Sequence, residues 1–222
     1  KQLTNDEISD TTLPYLGYAE CSLAGIKVRI FRISFSGELA YEINMAPADM
    51  QTIWEALLNA GKEYKIVPYG SEAMNVLRIE KGHVVGGELN GRTTADGLGF
   101  GKMLSKKKHF VGKVLSQREG LLRQNNHQLV GLIPVDRKTK IPRGAQLLAS
   151  PSTPIPAHME GEVTSQCLSP NLGHPIALGL LNGGRNRHGE ILYAHSPLTS
   201  QTVKVTVTNP VFIDQKGERL RG

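Results

Sequence analysis

Alternating apolar and charged residues predict a pair of β-strands near the start of the chain. Residues 26–33 are predicted to form a strand, since Ile26, Val28 and Ile30 alternate with Lys27 and Arg29 at a period of two. Residues 41–45 form a second short run. Residues 36–38 between them have the composition of a turn, because Gly37 accepts backbone angles that other residues resist. The pattern therefore predicts two antiparallel strands that flank a tight loop, after a weaker strand signal in residues 15–23.

A helical period predicts the next element. The apolar positions within residues 47–60 form one stripe along a helix. This stripe consists of Met50, Ile53, Trp54, Leu57 and Leu58. Because Trp54 lies on the stripe, we expect it to be part of the core. A short strand at residues 64–67 and a helix from Ser71 to Lys81 follow, and this order of strands and helices predicts an α+β fold with helices over one sheet face.

The second half of the chain has a different pattern. Residues 83–101 are rich in glycine and predict a long loop, whereas residues 105–124 carry a weak helical signal. Six short apolar runs follow, at residues 129–133, 145–148, 161–165, 176–180, 190–193 and 203–207. Because glycine and proline punctuate them and no helical pattern intervenes, they predict a small all-β barrel or sandwich. We therefore predict two domains, residues 1–124 and 125–222, with a proline-rich loop at residues 150–156 in the second.

The composition is that of a globular chain and argues against several classes of protein. Of 222 residues, 39% are apolar and 21% are charged, and no run of about 18 apolar residues predicts a membrane span. Aromatic residues are only 5%, and they are not interleaved with basic residues as on a nucleic-acid platform. Cys21 and Cys167 are far apart in sequence, so we expect reduced thiols in a cytoplasmic protein. The chain begins without methionine, and we interpret it as a fragment or a processed chain.

Three motifs carry possible chemistry but predict no familiar site. Residues 97–102 resemble a phosphate-binding loop, yet the glycine spacing is wrong and Met103 stands where a hydroxyl residue belongs. The seven histidines include no pair at helical spacing, which argues against a metal site. Residues 106–108 are three lysines, and such a run is most often a solvated face. The alternative is a cationic rim for a polyanionic ligand tail.

Glu42 is the candidate binding residue that the pattern singles out. It lies on the second predicted strand, between Tyr41 and Ile43. A carboxylate among apolar and aromatic neighbours is desolvated unless it meets hydrogen-bond donors. The paired N–H groups of a planar heterocycle would suit it well, and the alternative is a solvent-facing glutamate on a half-exposed sheet.

Three segments together resemble the glycine-cleavage T-protein (aminomethyltransferase) family. They are FSGELAYEI at residues 35–43, LRIEKG at residues 77–82, and GEVTSQCLSPNL with IALG at residues 161–179. Within this family, the sequence resembles in particular the C-terminal, folate-binding portion of heterotetrameric sarcosine oxidase alpha subunits. The segments that carry this resemblance are FRISFSGE at residues 31–38 and NPVFID at residues 209–214. The resemblance implies a partial T-protein-like folate-binding domain followed by a β-barrel.

The resemblance also implies an activity. Enzymes of this kind demethylate sarcosine oxidatively and capture the one-carbon unit on tetrahydrofolate as 5,10-methylenetetrahydrofolate. It implies that Glu42 hydrogen-bonds the pterin ring and that Phe35 packs against it, while no catalytic residue is assigned within this chain. The flavins FAD and FMN, together with NAD, are expected elsewhere in the complete enzyme, along with its other subunits.

Two departures from the family pattern leave alternatives open. Met74 and Asn75 stand where T-proteins carry an arginine and an aspartate, so a folate contact is absent or replaced. The family's aspartate near the folate N5 has no counterpart here, so we expect this chain alone to bind folate poorly. The alternatives are an aminomethyltransferase of the glycine cleavage system and a folate-binding module without catalysis.

Overall fold

The computed structural model describes residues 2–151 and 158–221, so most of the proline-rich loop predicted at residues 150–156 lies outside the described residues. Two compact units are present. The first comprises the chain up to Leu77 together with the residues from Asp214 onward, and the second comprises Arg78–Ile213. This division follows internal contacts, and the domain boundary at residues 124–125 stays a prediction. No helix in the described part of the chain is long and apolar enough to cross a membrane.

A three-stranded antiparallel sheet forms the centre of the first unit. Its strands are β1 (Tyr18–Leu23), β2 (Ile26–Phe31) and β3 (Glu42–Asn44), in that spatial order. Ala24 and Gly25 join β1 to β2 in a tight hairpin, and both have positive φ angles of 49° and 80°. Such angles match the right-handed twist of the flanking strands. The predicted antiparallel pair of strands is therefore confirmed, with a third strand before it.

The connection between β2 and β3 is longer than the sequence indicated. It runs over residues 32–41, so the prediction of a tight loop at residues 36–38 is wrong. Gly37 does have the positive φ that a turn requires, 92°, and its N–H donates to Ser34 Oγ over 3.0 Å. The turn residues thus form one bend inside a larger loop, because strand pairing ends at Phe31 and resumes only at Glu42.

Helix α1 (Met50–Gly61) follows a short 3-10 turn at Pro47–Asp49 and packs on one face of the sheet. The buried core of this unit comprises Leu13, Leu23, Val28, Ile30 and Ile53. Only part of the predicted stripe reaches it. Trp54 is 52% exposed, so its prediction as a core residue is wrong. Ile53 faces the sheet, whereas Met50 and Trp54 lie outside the area that the sheet covers.

The predicted strand at residues 64–67 is also wrong. Lys62–Tyr64 form a 3-10 turn, Lys65 has a left-handed φ of 55°, and the N–H of Ile66 donates to the carbonyl of Gly61. This backbone closes back on the end of α1, so it cannot extend as a strand. Helix α2 (Ser71–Lys81) agrees with the prediction, and it ends at Gly82, whose φ is +74°.

The glycine-rich segment contains turns, as expected, and one 3-10 turn at Gly101–Met103. The weak helical signal after it corresponds to a short helix, α3 (Lys113–Ser116), and a 3-10 turn at Glu119–Leu121. The predicted helix is therefore only partly formed.

A closed six-stranded antiparallel barrel makes up most of the second unit. Its strands are β4 (His127–Pro134), β5 (Gln146–Leu148), β6 (Gly161–Ser169), β7 (His174–Asn182), β8 (Ile191–His195) and β9 (Thr202–Thr208). They close in the order β4-β7-β6-β5-β8-β9, so all six predicted strands are confirmed and the barrel is the correct alternative. A 3-10 turn at Gly184–Arg187 follows β7, and a last short helix, α4 (Glu218–Arg221), belongs to the first unit.

The barrel interior is filled by aliphatic side chains from every strand. They include Val130, Leu132, Leu147, Val163, Ala177, Leu181, Leu192, Val205 and Val207. Close packing leaves little room at its glycines. A Cβ on Gly161 would lie 2.1 Å from the carbonyl oxygen of Leu180, so only glycine fits where β6 meets β7.

We predict that Leu192→Ala lowers the free energy of unfolding by about 2–5 kcal/mol, because it leaves a cavity in a closed barrel. Leu192 is fully buried, whereas Leu198 is 95% exposed and provides a matched control. Leu198→Ala should change stability by less than about 0.5 kcal/mol. Urea unfolding followed by far-ultraviolet circular dichroism measures both, and equal effects would contradict the assigned core.

Candidate functional site

Glu42 is the first residue of β3, and its side chain is exposed. It lies opposite Phe31 across the β2–β3 pair, and Phe31 lies opposite Tyr18 across the β1–β2 pair. The Phe31 and Tyr18 rings stack with their centroids 5.8 Å apart. Since directly paired residues share a face of the sheet, Glu42 ends a row that contains two aromatic rings.

A broad concavity of about 610 Å³ covers the same face, and the side chains of the next cross-strand row line it. That row consists of Glu20, Arg29 and Asn44, and the Glu20 carboxylate pairs with the Arg29 guanidinium over 3.2 Å. Asn44 is two residues from Glu42 on β3 and therefore points to the same side. Glu42 is thus one cross-strand row away from an open cleft whose lining mixes polar and apolar side chains.

The Glu42 carboxylate receives no hydrogen bond from any residue that the structure describes. This is the solvent-facing arrangement that the strand pattern left open, and it leaves both carboxylate oxygens available as acceptors. The role of Glu42 towards a pterin stays a prediction.

Phe35 lies in the loop of residues 32–41 and is half-buried. Its role in binding also stays a prediction. The first unit places Phe35 and Glu42 on one continuous segment, the loop and the strand that follows it.

A second cavity, of about 420 Å³, lies on the opposite face of the sheet. Apolar side chains dominate its lining, among them Leu23, Ile30, Ile43 and Leu57. Because neighbouring side chains on a strand point to opposite faces, Glu42 points away from this cavity while Ile43 lines it. Among the described residues, its lining includes no charged group that could recognise an ionic ligand.

In the second unit, a buried ion pair joins α2 to the segment after it. The Arg78 Nη1 atom lies 3.4 Å from the Glu88 carboxylate, and both side chains are almost completely buried. Ser165 on β6 bridges them, since it accepts from Arg78 Nη2 over 2.6 Å and donates to Glu88 over 2.7 Å. The carboxylate also accepts the N–H of Val85 over 2.8 Å. Burial lowers the pKa of the Arg78 guanidinium, and the nearby Glu88 carboxylate opposes that shift.

A second buried carboxylate on α2 is satisfied by the end of the same strand. Glu80 accepts hydrogen bonds from the Ser169 hydroxyl and from Asn171 Nδ2, the latter over 2.7 Å. The backbone carbonyl of Glu80 accepts the N–H groups of Phe212 and Ile213 over 3.0 and 3.1 Å. Two of the three family-like segments, at residues 77–82 and 161–172, therefore meet in buried contacts whose role is structural.

Cys167 lies on β6 between these two networks. Burial, with the Glu80 carboxylate second, raises the pKa of the Cys167 thiol to about 12. A thiol with this pKa is protonated at neutral pH and is a poor nucleophile. Cys167 is therefore a core residue.

Glu88 has no signal in the local pattern, because the glycine-rich residues 83–101 around it predict only a long loop. The side chain is fully buried, and its partners Arg78 and Ser165 are distant in sequence. The burial of Arg78, which requires an anion nearby, becomes apparent only in the folded chain.

The lysines of residues 106–108 are exposed on a loop, and the ammonium group of Lys113 donates hydrogen bonds to the backbone of this loop. Lys113 Nζ donates to the carbonyls of Lys106 and Lys108 over 2.9 and 2.8 Å. Residues 102–123 contain seven of the lysines and arginines and a single acid, Glu119, so this segment alone accounts for the net charge of +6.

Comparison with known families decides the identity of the fold. Residues 1–108 match the GCVT N-terminal domain, and residues 127–214 match the glycine cleavage T-protein C-terminal barrel domain. The chain belongs to the glycine-cleavage T-protein family. The predicted α+β fold, with a T-protein-like domain followed by a β-barrel, is therefore confirmed.

The relatives of this chain include sarcosine oxidase alpha subunits and aminomethyltransferases. The chain is 45% identical to a sarcosine oxidase subunit alpha of Rhizobium meliloti (strain 1021) over 99% of its length, and 40% identical to that of Corynebacterium sp. (strain P-1) over 100%. It is 32% identical to an aminomethyltransferase of Streptomyces avermitilis over 85% of its length. The chain spans 23% of each oxidase subunit and 50% of the aminomethyltransferase.

The T-protein fold also recurs in a solved structure. The crystal structure of the glycine cleavage system aminomethyltransferase T from Bartonella henselae matches with a TM-score of 0.68 at 22% identity. The match covers 85% of this chain and 50% of the other. It supports the fold alone.

We predict that Arg78→Ala lowers the free energy of unfolding by about 3–5 kcal/mol, because it leaves the Glu88 carboxylate buried without its cation. The exposed pair of Arg92 with Glu162 is the matched control, and Arg92→Ala should cost at most about 1 kcal/mol. Chemical denaturation of both variants measures the difference. Similar losses of unfolding free energy in the two variants would show that the buried pair contributes no more to stability than the exposed pair does.

Proposed function

We propose that this chain is the folate-binding part of a sarcosine oxidase alpha subunit, in which the one-carbon unit removed from sarcosine is captured on tetrahydrofolate. Similarity to oxidase subunits over nearly the whole chain supports the enzyme class. The observation that carries the folate assignment is the Glu42 carboxylate, which has no hydrogen-bond donor among the described residues and lies beside an open cleft.

The residues around Glu42 fit the chemistry of a pterin. A pterin edge presents adjacent N–H donors, and a carboxylate with both oxygens available accepts two such bonds, which are strong because the acceptor is charged. The stacked rings of Phe31 and Tyr18 lie in the same cross-strand row and offer apolar contact to a planar heterocycle. Glu42 would hold the ring edge, and Phe35 would pack against its face.

In the proposed enzyme, folate binding and oxidation belong to different parts of the complete protein. Tetrahydrofolate, when bound, supplies the amine nitrogens that accept the one-carbon unit. The chain's own residues bind and orient the ring, and the oxidation belongs to flavin-containing parts of the complete enzyme. FAD, FMN and NAD, as well as the other subunits, therefore act outside this chain.

A role as an aminomethyltransferase is the second candidate, since relatives of that name match 77–96% of the chain at 30–35% identity. Met74 and Asn75 argue against it, because T-proteins carry an arginine and an aspartate at those positions. A transfer assay with an aminomethylated lipoyl carrier protein distinguishes the two, and turnover would favour this candidate.

Exposed apolar side chains support the view that the chain is one part of a longer subunit. Between residues 50 and 69 they are Met50, Trp54, Tyr64, Ile66, Val67 and Tyr69. Exposure of this much large apolar surface is typical of a face that another protein segment covers. We propose that further sequence of the complete subunit packs on this side of the first unit.

We predict that Glu42→Gln in the full-length subunit weakens tetrahydrofolate binding by about 1–3 kcal/mol, the scale for losing a charged hydrogen-bond acceptor. Isothermal titration calorimetry measures the change. Glu119→Gln, at an exposed acid in the other unit, is the control of identical chemistry and should bind as the wild type does. An unchanged affinity for Glu42→Gln would refute the folate assignment.

We also predict that Trp54 is shielded in the complete subunit. In this chain it is the only tryptophan and is half exposed, so its fluorescence should be red-shifted and readily quenched by acrylamide. In the complete subunit, the difference between the wild type and Trp54→Phe should give a blue-shifted, protected emission. If acrylamide quenched the Trp54 emission of the complete subunit as readily as that of the isolated chain, no further segment would cover this face.

A further inference from the structure

The C-terminal segment contacts the loop that precedes Glu42 at two points. Residues 214–221 follow the barrel in sequence, yet they belong to the first unit. Arg219 Nη1 lies 3.1 Å from the carboxylate of Glu38, and the Arg221 carbonyl accepts a hydrogen bond from the guanidinium of Arg32. Arg32 begins the loop and Glu38 lies past its middle, so these contacts bracket Phe35.

The contact between Arg32 and the Arg221 carbonyl is buried, since the Arg32 side chain is only 2% exposed. It donates to the Asp10 carboxylate and, over 3.1 Å, to the carbonyl of Leu13. Its backbone is also paired, since its N–H donates to the carbonyl of Gly17 and its carbonyl accepts the N–H of Leu16, each over 3.0 Å. A buried cation is stabilised by the acceptors that it meets, and the carbonyl of Arg221 is one of them. The Arg32 Nε atom is buried without an acceptor among the described residues, so the bonds made by the two Nη atoms carry this contact.

The end of the chain is ordered by a cap of its own. The Asp214 carboxylate accepts the N–H groups of Glu218 and Arg219 over 2.8 and 3.2 Å, which satisfies the first turn of α4. Leu220 is buried and anchors the same turn. A helix this short is unstable alone, so its cap and its anchor fix the positions of Arg219 and of the Arg221 carbonyl.

We propose that α4 is a clamp that holds the loop of residues 32–41 in the conformation that binds folate, and that Arg32, Glu38 and Arg219 are positioning residues for this purpose. The proposal rests on the proposed function. A loop ordered before the ligand arrives loses less conformational entropy on binding, so the clamp raises affinity without touching the ligand.

A charge swap in the full-length subunit tests the clamp. Arg219→Glu alone and Glu38→Arg alone should each weaken tetrahydrofolate binding about three- to tenfold, because an exposed attraction becomes a repulsion. The double variant Glu38→Arg with Arg219→Glu restores the opposite charges and should recover most of the affinity. Arg92→Glu, which breaks an exposed ion pair in the other unit, is the control and should bind normally.

Hydrogen exchange supplies the second measurement. In each single variant, amides of residues 33–41 should exchange faster while those of the barrel strands stay protected, and the double variant should restore protection. Arg219→Lys keeps the charge and should resemble the wild type. Loss of protection throughout the chain would instead indicate general misfolding and would overturn the clamp.

The outcomes separate this proposal from the proposed function. If Glu42→Gln weakens binding but both single reversals bind normally, the clamp is wrong and the folate site stands. If the reversals weaken binding and the double variant is no better, the ion pair does not position the loop and the clamp is again wrong. If neither Glu42→Gln nor the reversals change affinity, the folate assignment itself fails.

Discussion

The cost of burying charge organises much of the second unit. Arg78 and Glu80 are two residues apart on α2, and both side chains are buried. Neither can remain there without partners, because a desolvated ion that loses its counter-charge or its hydrogen bonds is strongly destabilising. Glu88 and Ser165 satisfy the first, and Ser169 and Asn171 satisfy the second. These contacts fix the end of α2 against β6.

The three family-like segments differ in how far the fold itself uses their polar side chains. The segments at residues 77–82 and 161–172 hold the fold together through buried hydrogen bonds, and nothing about them requires a ligand. The segment at residues 35–43 is different, because its acid, Glu42, is exposed and unpaired among the described residues. An acid whose carboxylate accepts no hydrogen bond within the described fold is available to a ligand, and this contrast is the physical basis for the proposal that Glu42 binds folate.

Local patterns predicted those elements whose stability is local or whose burial is complete. All six barrel strands were predicted from short apolar runs, because both the runs and the turns between them follow from side-chain burial and from glycine and proline. Patterns failed where burial depends on what covers a surface. Trp54 lies on an apolar stripe and yet is exposed, and residues 64–67 have the composition of a strand but close back on α1.

By itself, the sequence determined the α+β class, the six short strands of the second unit, the antiparallel pair of β2 and β3, and the family resemblance, since each depends on residue types at short spacing. Only the tertiary structure decided which distant groups meet. It paired Glu88 with Arg78 and Ser165, and it brought Arg219 to Glu38 and the Arg221 carbonyl to Arg32. Such contacts join residues far apart along the chain, and their energy depends on burial and on precise distance, which no local pattern encodes.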